Sequence, residues 1–432
     1  MLPDSLFQRT LVDLHRLVAI PSVSADGPDA PALRASAEAV RAALSDAGAQ
    51  ARVLDDGPWA PAVLGRVAGP PGAPRVLLYA HHDVQPAGDV GSWTSPPFAA
   101  VERDGRLYGR GAADNGSGLA VHLAALRALA ARPPVELIVL VEGEEEVGSP
   151  HIEELLAAHG DELRADVVVI VDGASAAVGQ PSITISTRGM MECDVTVRTL
   201  ARPGHSGLFG GAVPDALTAL VRLLATLHGP DGRLAVDGLE RGPEPVPALR
   251  PEAVRADAAL LDGVELIGGR SLEAALWQAP SATPIAIDAP RFDEARNALE
   301  PVARARLNVR LAPHDDPARA ASAIRAHLER HVEWGAHIEV ETRNATGGWA
   351  APGGGRAIAA ARAACAAAWG SAPVELGLGG SLPLLRLLAG HMPDAEIVLL
   401  GIQDPGSSVH GVDESVSVAD LEKACAAEID LL

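Results

Sequence analysis

Short apolar runs that end abruptly in carboxylate or imidazole set the pattern of this chain. RVLLYA (75–80) leads into His81-His82-Asp83, and VELIVLVEG (135–143) into Glu144-Glu145-Glu146. DVVVIV (166–171) leads into Asp172, and EIVLLG (396–401) into the loop that carries His410. Unbroken runs of this length read as strands buried on both faces, and they predict strands near 50–54, 75–80, 135–142, 166–172 and 396–401. Elsewhere apolar positions recur at helical spacing, which predicts helices over 5–19, 32–47, 116–132 and 357–369, the second stopped by Gly48. Helix 116–132 opens directly after Asp114. The alternation argues for an α/β fold, a mostly parallel sheet with helices on both faces.

From about residue 184 the order changes. A long strand is predicted over 183–199, then a helix over 214–229, strands over 283–288 and 302–311, a helix over 316–332 and a last strand over 336–343. With the Pro- and Gly-rich stretch before 283 set aside, this is β-α-β-β-α-β, a ferredoxin-like α+β module. GGWAAPGGGR (347–356) reads as the hinge back to the first domain. The division expected is 1–183 and 347–432 for a catalytic domain, with 184–346 inserted as a lid or dimerisation domain.

Composition narrows the partners. A length of 432 residues exceeds one ordinary core, and the apolar fraction of 48% is that of a folded globule. A net charge of −21 argues against nucleic acid or an anionic membrane as partner. The N-terminal twenty residues have charges throughout and no continuous apolar core of a signal peptide, and no segment has the length to span a bilayer. Three scattered cysteines, Cys193, Cys365 and Cys425, suit a reducing compartment better than a disulfide framework. The expectation is a cytoplasmic enzyme.

The chemistry follows from the strand ends. Carboxyl ends of parallel strands gather side chains from distant positions into one site. His81, Asp114, Glu146, Asp172 and His410 together form a mixed oxygen and nitrogen donor set that suits zinc, cobalt or manganese. The excess of carboxylates suits two divalent ions, and a metallohydrolase is the reading. A run of three glutamates is more often a solvated turn, but this one ends a buried strand between other candidate ligands. His82, between two candidates, points to the opposite side at a strand end and reads as structural. His122, His151 and His159 lie in helical stretches and read as surface or satisfied core residues.

The wording around these positions resembles the M20 metallopeptidases, the dinuclear-zinc exopeptidases and deacylases that span carnosine-type dipeptidases, acetylornithine deacetylase and carboxypeptidase G. The matching segments are His81-His82-Asp83-Val84-Gln85-Pro86, Tyr108-Gly109-Arg110-Gly111-Ala112-Ala113-Asp114 and Glu145-Glu146-Val147-Gly148-Ser149. Asp172, His205-Ser206-Gly207, Gly379-Gly380-Ser381 and His410 follow in the family's order. The resemblance implies that Asp114 bridges two ions, His81 and Asp172 complete one, and Glu146 and His410 the other. It also implies that Asp83 orients His81, that Glu145 is the general base, and that His205 stabilises the oxyanion, often across a homodimer. Arg310 would take the substrate carboxylate, with Asn297, Gly380 and Ser381 as further substrate contacts. A cis peptide is expected at Asp114-Asn115. Two departures stand out: Asn115-Gly116-Ser117-Gly118 lacks the lysine many relatives carry after the bridging aspartate, and Gly377-Leu378 replaces an Arg-Glu pair. The long stretch between 229 and 283 resembles the lids of carnosine-type dipeptidases. The expected substrate is a dipeptide or similarly small peptide, with an N-acyl amino acid as the alternative and a catalytically inactive binding relative as a third reading.

Overall fold

The computed structural model describes residues 2–245, 249–352, 354–380 and 382–432. The chain divides into two units, one of residues 1–185, 351–376 and 384–432, the other of residues 186–350 and 377–383.

The first unit is built on a sheet whose centre runs Glu136–Glu142, Arg75–His81, Val167–Ala174 and Glu396–Gln403, all parallel. Antiparallel strands flank it: Ala62–Val67 and Gln50–Leu54 on one side, Ser182–Thr187 on the other. The central strands are buried along almost their whole length, as their Val-, Ile- and Leu-rich sequences require of a sheet covered on both faces. Helix Asp4–Val18 buries Phe7, Leu11, Leu14 and Val18 at the i, i+3, i+4 spacing of an amphipathic helix and packs on helix Gly116–Leu129. Helix Gly116–Leu129 is buried from Ser117 to Leu126, and its small, apolar sequence makes it the central helix of the core. Register decides the site. His81 pairs with Glu142, so the turns beyond both strands lie side by side, stitched by the His82 amide donating to the Glu142 carbonyl at 2.8 Å.

The second unit holds an antiparallel sheet in the order Ser281–Asp288, Val302–Leu311, Gly189–Arg198, His337–Thr346. With helices Ala216–Ala225 and Pro317–His331 packed on one face, this is the ferredoxin-like arrangement that the sequence order predicts. Asp215 and Asp316 cap the two helices by accepting the Thr218 and Arg319 amides. Alternate positions Met191, Cys193, Val195 and Val197 face the helices, which leaves the even-numbered side chains of that strand on the open face.

The structure differs from the sequence reading at several points. The strand expected over 183–199 is two strands, Ser182–Thr187 and Gly189–Arg198, in different sheets. Gly189 makes the break possible, because a Cβ there would lie 2.6 Å from the Thr346 carbonyl. Strand Ala62–Val67, whose apolar run is interrupted by Gly65-Arg66, was not anticipated, nor was the small sheet of Val101–Arg103, Arg106–Tyr108 and Ser415–Ser417, whose three-residue strands are too short to carry a period. The segment 377–383 groups with the second unit rather than the first. No helix among the described residues is long and apolar enough to cross a membrane.

The segment after Asp114, which lacks the lysine, is held by packing. Asn115 donates from Nδ2 to the Val171 carbonyl at 2.8 Å, and Ser117 donates from Oγ to the Ala113 carbonyl at 2.8 Å. A Cβ on Gly118 would lie 2.2 Å from that same Val171 carbonyl. Gly118→Ala should therefore destabilise the protein by about 2–3 kcal/mol in urea unfolding, through overpacking against backbone that cannot yield.

Candidate metal centre

The candidate ligands come from strand ends and the turns beyond them, except Asp172, which lies near the end of strand Val167–Ala174. His81 is the last residue of its strand and is fully buried. Its Nδ1 faces the Asp83 carbonyl at 3.1 Å and the Asp83 carboxylate at 3.4 Å, which turns Nε2 into the site. Nε2 then lies 3.0 Å from Asp114 Oδ1 and 3.6 Å from Asp172 Oδ2. The other Asp114 oxygen, Oδ2, lies 3.0 Å from His410 Nε2, which in turn lies 3.0 Å from Glu146 Oε2. Two triads result, His81–Asp114–Asp172 and Asp114–Glu146–His410, sharing one carboxylate.

The donor set fits two divalent ions. A tetrahedral ion with bonds of roughly 2.0–2.1 Å separates its ligand atoms by about 3.3–3.5 Å, and the observed separations lie close to that. Asp114 offers one oxygen to each imidazole, the disposition of a bridging carboxylate. Charge points the same way. Hydrogen bonds to Asp114 and then Glu146 push the His410 imidazole up to about 10. Burial works against a charged His81, but bonds to Asp114, Asp172 and Asp83 outweigh it and hold that imidazole well above its usual range. The carboxylates thus draw positive charge into the site.

Fixed donors orient each ligand. Gln85 Nε2 donates to the Glu146 carbonyl at 2.9 Å and to its Oε2 at 3.0 Å, and Gln403 Nε2 donates to Asp172 Oδ1 at 2.8 Å. The two Asp83 oxygens accept the amides of Glu145 (3.1 Å) and Glu146 (3.0 Å). The peptide at Asp114-Asn115 is cis, as expected. Glu145 turns toward the first triad, its Oε2 4.0 Å from His81 Nε2. Burial first, with Asp172 and Asp114 adding to it against His81, pushes its carboxyl up to about 8. A carboxylate poised there can take a proton from water near neutral pH.

Sequence reasoning missed Glu414, four residues beyond His410 and fully buried. Its Oε1 accepts the Ala113 and Asp114 amides, both at 3.0 Å, while Oε2 accepts Gly111 N at 3.1 Å and Arg110 Nη1 at 2.6 Å. Arg110 Nη2 donates onward to the carbonyls of Pro86, His410 and Gly411 at 3.2, 3.2 and 3.0 Å. The pair braces three ligand loops at once, and it holds His410 at φ 62°, a left-handed conformation rare outside glycine. No local pattern marks Glu414, because its partners lie some 300 positions away.

Behind the site, the Tyr79 hydroxyl donates to Glu142 Oε2, and Glu142 Oε1 has no partner among the described residues. Burial pushes the Glu142 carboxyl up to about 7. His122, also fully buried, lies 2.7 Å from Glu428 Oε1 and 3.0 Å from the Tyr79 carbonyl, a satisfied core histidine. His82 faces the Pro61 carbonyl at 2.7 Å, away from the ligands.

The remaining candidates belong to the second unit. His205 is exposed, and its Nδ1 accepts the Gly207 amide at 3.1 Å. Asn297 neighbours that loop, its carbonyl accepting the Ser206 amide at 3.1 Å. Arg310 is half-buried on strand Val302–Leu311, with Nη1 3.7 Å from Met190 Sδ. Gly380 follows Gly379, whose carbonyl accepts from Arg188 Nε at 2.9 Å. Ser381 lies outside the described residues.

The chain is similar to known proteins in sequence and in fold. The model of peptidase family M20/M25/M40 matches residues 77–432. A cysteinylglycine-S-conjugate dipeptidase of Corynebacterium striatum is 37% identical over 368 residues, covering 83% of this chain and 81% of its own. A Beta-Ala-His dipeptidase of Rattus norvegicus is 28% identical over 385 residues, covering 83% and 77%. The crystal structure of human carnosine dipeptidase 1 shares the fold, with a TM-score of 0.76 at 24% identity over 99% of this chain and 98% of that one.

Two expectations follow. Glu414→Ala and Arg110→Met should each cost about 3–5 kcal/mol in denaturant unfolding, because each strands a buried charge. The double variant should cost less than their sum by about 1–3 kcal/mol. Glu142 gives a pH dependence. Its folded value, about 7, exceeds the ordinary 4.5. The folded state therefore keeps a proton that the unfolded chain has lost, and this stabilisation is full below the unfolded value and gone above the folded one. Glu142→Gln should gain stability on wild type between pH 5 and pH 8, by up to roughly 3 kcal/mol.

Proposed function

The chain belongs to peptidase family M20/M25/M40 and is a hydrolase of amide bonds; from that premise we propose that it is a dizinc dipeptidase acting on small peptides with a free carboxylate. The observation that carries the reading is the shared Asp114, one oxygen toward each of two imidazoles 3.0 Å away. His81, Asp114 and Asp172 would hold one divalent ion, and Asp114, Glu146 and His410 the other. When bound, the ions supply Lewis acidity that polarises the scissile carbonyl and makes a water acidic near neutral pH.

The chain's own groups do the rest. Glu145, buried beside the first triad, takes the proton of the attacking water and returns it to the leaving amine. Asp83 fixes the turn that aims both Glu145 and Glu146, and sets the His81 ring through its carbonyl. Arg310 receives the substrate carboxylate, with Asn297, Gly380 and Ser381 as further contacts. His205 donates to the developing oxyanion. Its exposed ring, bonded through Nδ1 to its own loop, leaves Nε2 for that task. In a homodimer that task would serve the neighbouring copy. Zinc, with manganese or cobalt as substitutes, suits the nitrogen and oxygen donors. Three free, buried cysteines suit a cytoplasmic location. The relatives' names point to cysteinylglycine S-conjugates and β-Ala-His as first substrates.

A single set of measurements tests the reading. Wild type should hydrolyse such dipeptides, lose activity on chelation and regain it with zinc, manganese or cobalt. Glu145→Gln should keep the metal content yet lower kcat at least about a thousandfold. Retained turnover in Glu145→Gln would refute the assignment of the base. Rapid hydrolysis of N-acyl amino acids with none of dipeptides would make the enzyme a deacylase.

A further inference from the structure

The open face of the second unit's sheet is rich in arginine, and most of these side chains are paired. Arg306 binds the Asp194 carboxylate with two bonds of 2.6 and 2.8 Å, and Arg304 Nε meets Asp288 at 2.8 Å. Arg343 lies between Glu341 at 3.0 Å and Asp194 at 3.4 Å, and Arg198 reaches Glu339 at 3.9 Å. Two arginines at the end of the sheet are different. Arg188 and Arg310 make no ion pair among the described residues, although the first is buried and the second half-buried. Arg188 is only 9% exposed.

The register brings the two together. Arg310 pairs with Ser281 on one side and with Met190 on the other, and Arg188 stands two positions before Met190 at the break in the strand. Arg188 spends Nε on the Gly379 carbonyl at 2.9 Å and Nη1 on the Ala279 carbonyl (3.4 Å) and Ser281 Oγ (3.3 Å). All three are neutral acceptors. Its Nη2 donates to no described group, and a Cβ on Gly379 would come within 3.3 Å of it. The glycine keeps that edge of the guanidinium uncovered.

Two neighbouring guanidiniums without a carboxylate, one buried and one half-buried, carry a desolvation and repulsion cost that a bound anion would offset. Burial, then the charge of Arg310, pulls the Arg188 guanidinium down to about 10, which measures the same cost.

We propose that Arg188 is a specificity-determining residue that joins Arg310 in a two-guanidinium cradle for the terminal carboxylate of the peptide substrate. The inference rests on the dipeptidase reading and deepens it. Arg310 meets the carboxylate with its planar fork, and Arg188 adds Nη2 and a second positive charge while tying down the Gly379-Gly380 loop. The second charge makes the preference for an acid over an amide steep, because an uncharged terminus leaves both cations uncompensated.

The test compares the dipeptide cleaved fastest with its C-terminal amide, on metal-loaded enzyme. Wild type should prefer the acid. Arg188→Met should lower the acid-to-amide ratio of kcat/KM about tenfold or more, chiefly through KM for the acid, with metal content unchanged. Arg188→Lys, which keeps charge but not the fork, should recover part of the ratio. Should Arg188→Met fail to fold by circular dichroism, Arg188→Gln keeps donors for the Gly379 carbonyl and is read in the same way. An unchanged ratio, whatever happens to overall activity, would reduce Arg188 to a clamp and overturn the proposal. Equal cleavage of acid and amide by wild type would instead overturn the terminal-carboxylate reading itself, and the cradle with it.

Discussion

Concentrating carboxylates at the ends of buried strands is the constraint from which the rest of the first unit follows. Asp83, Asp114, Glu145, Glu146 and Asp172 meet in one small region, and unscreened repulsion there would prevent folding. The chain meets this by giving four of these five carboxylates hydrogen-bond donors, while burial and acidic neighbours push the Glu145 carboxyl up. Backbone amides serve Asp83, Gln85 serves Glu146, Gln403 serves Asp172, and two imidazoles share Asp114. What is left is a surplus of inward-facing oxygens matched to cations. Metal affinity and fold stability therefore draw on the same hydrogen bonds.

The brace of Arg110 and Glu414 shows how far such support extends. A buried ion pair gives little net stability by itself, since desolvation cancels much of its attraction. Its value lies in geometry. Four donors converge on one carboxylate, and the guanidinium reaches three carbonyls, so loops from residues 86, 110–114 and 410–411 are fixed relative to one another. Ligand atoms held to tenths of an ångström need rigid neighbours of this kind. A hydrophobic substitute of equal volume would fill the space without setting the loops.

His81, Glu146 and Asp172 were legible in the sequence because an apolar run stops just before each, and a run of that kind is visible locally; Asp114 and His410 lie in loops beyond any such run. The strands at 75–80, 135–142 and 166–172 fall within a residue or two of those observed for the same reason. The supporting groups were not legible. Glu414 and Gln403 act on partners more than 200 positions away, and Glu142 and Tyr79 lie inside runs that read only as strand. The strand expected over 183–199 failed at Arg188-Gly189 because its apolar alternation continues through the break. Only close backbone approach at Gly189 reveals the change of sheet. Arg188 was overlooked with it, since an arginine in a strand looks exposed until its partners are known.

Three consecutive glutamates show how a turn can divide like residues among unlike tasks. Side chains at a strand end alternate between faces, but a 3-10 turn over Glu145–Val147 rotates each successive residue by about 120°. Glu144 is thereby turned back, where its carboxylate accepts the Ala60 amide at 3.2 Å and the His151 amide at 3.1 Å. Glu145 and Glu146 turn forward, to His81 and His410 respectively. Gly148, in the left-handed region at φ 89°, closes the turn with its amide on the Glu145 carbonyl. Asp83 ties it to the neighbouring strand through both glutamate amides. The tasks thus depend on backbone rotation rather than on residue type, so exchanging a glutamate for aspartate at 145 would keep the charge and shorten its reach by one methylene. Proton transfer needs heavy atoms within roughly 2.6–3.2 Å, and a shortfall of that size exceeds what the braced turn can make up.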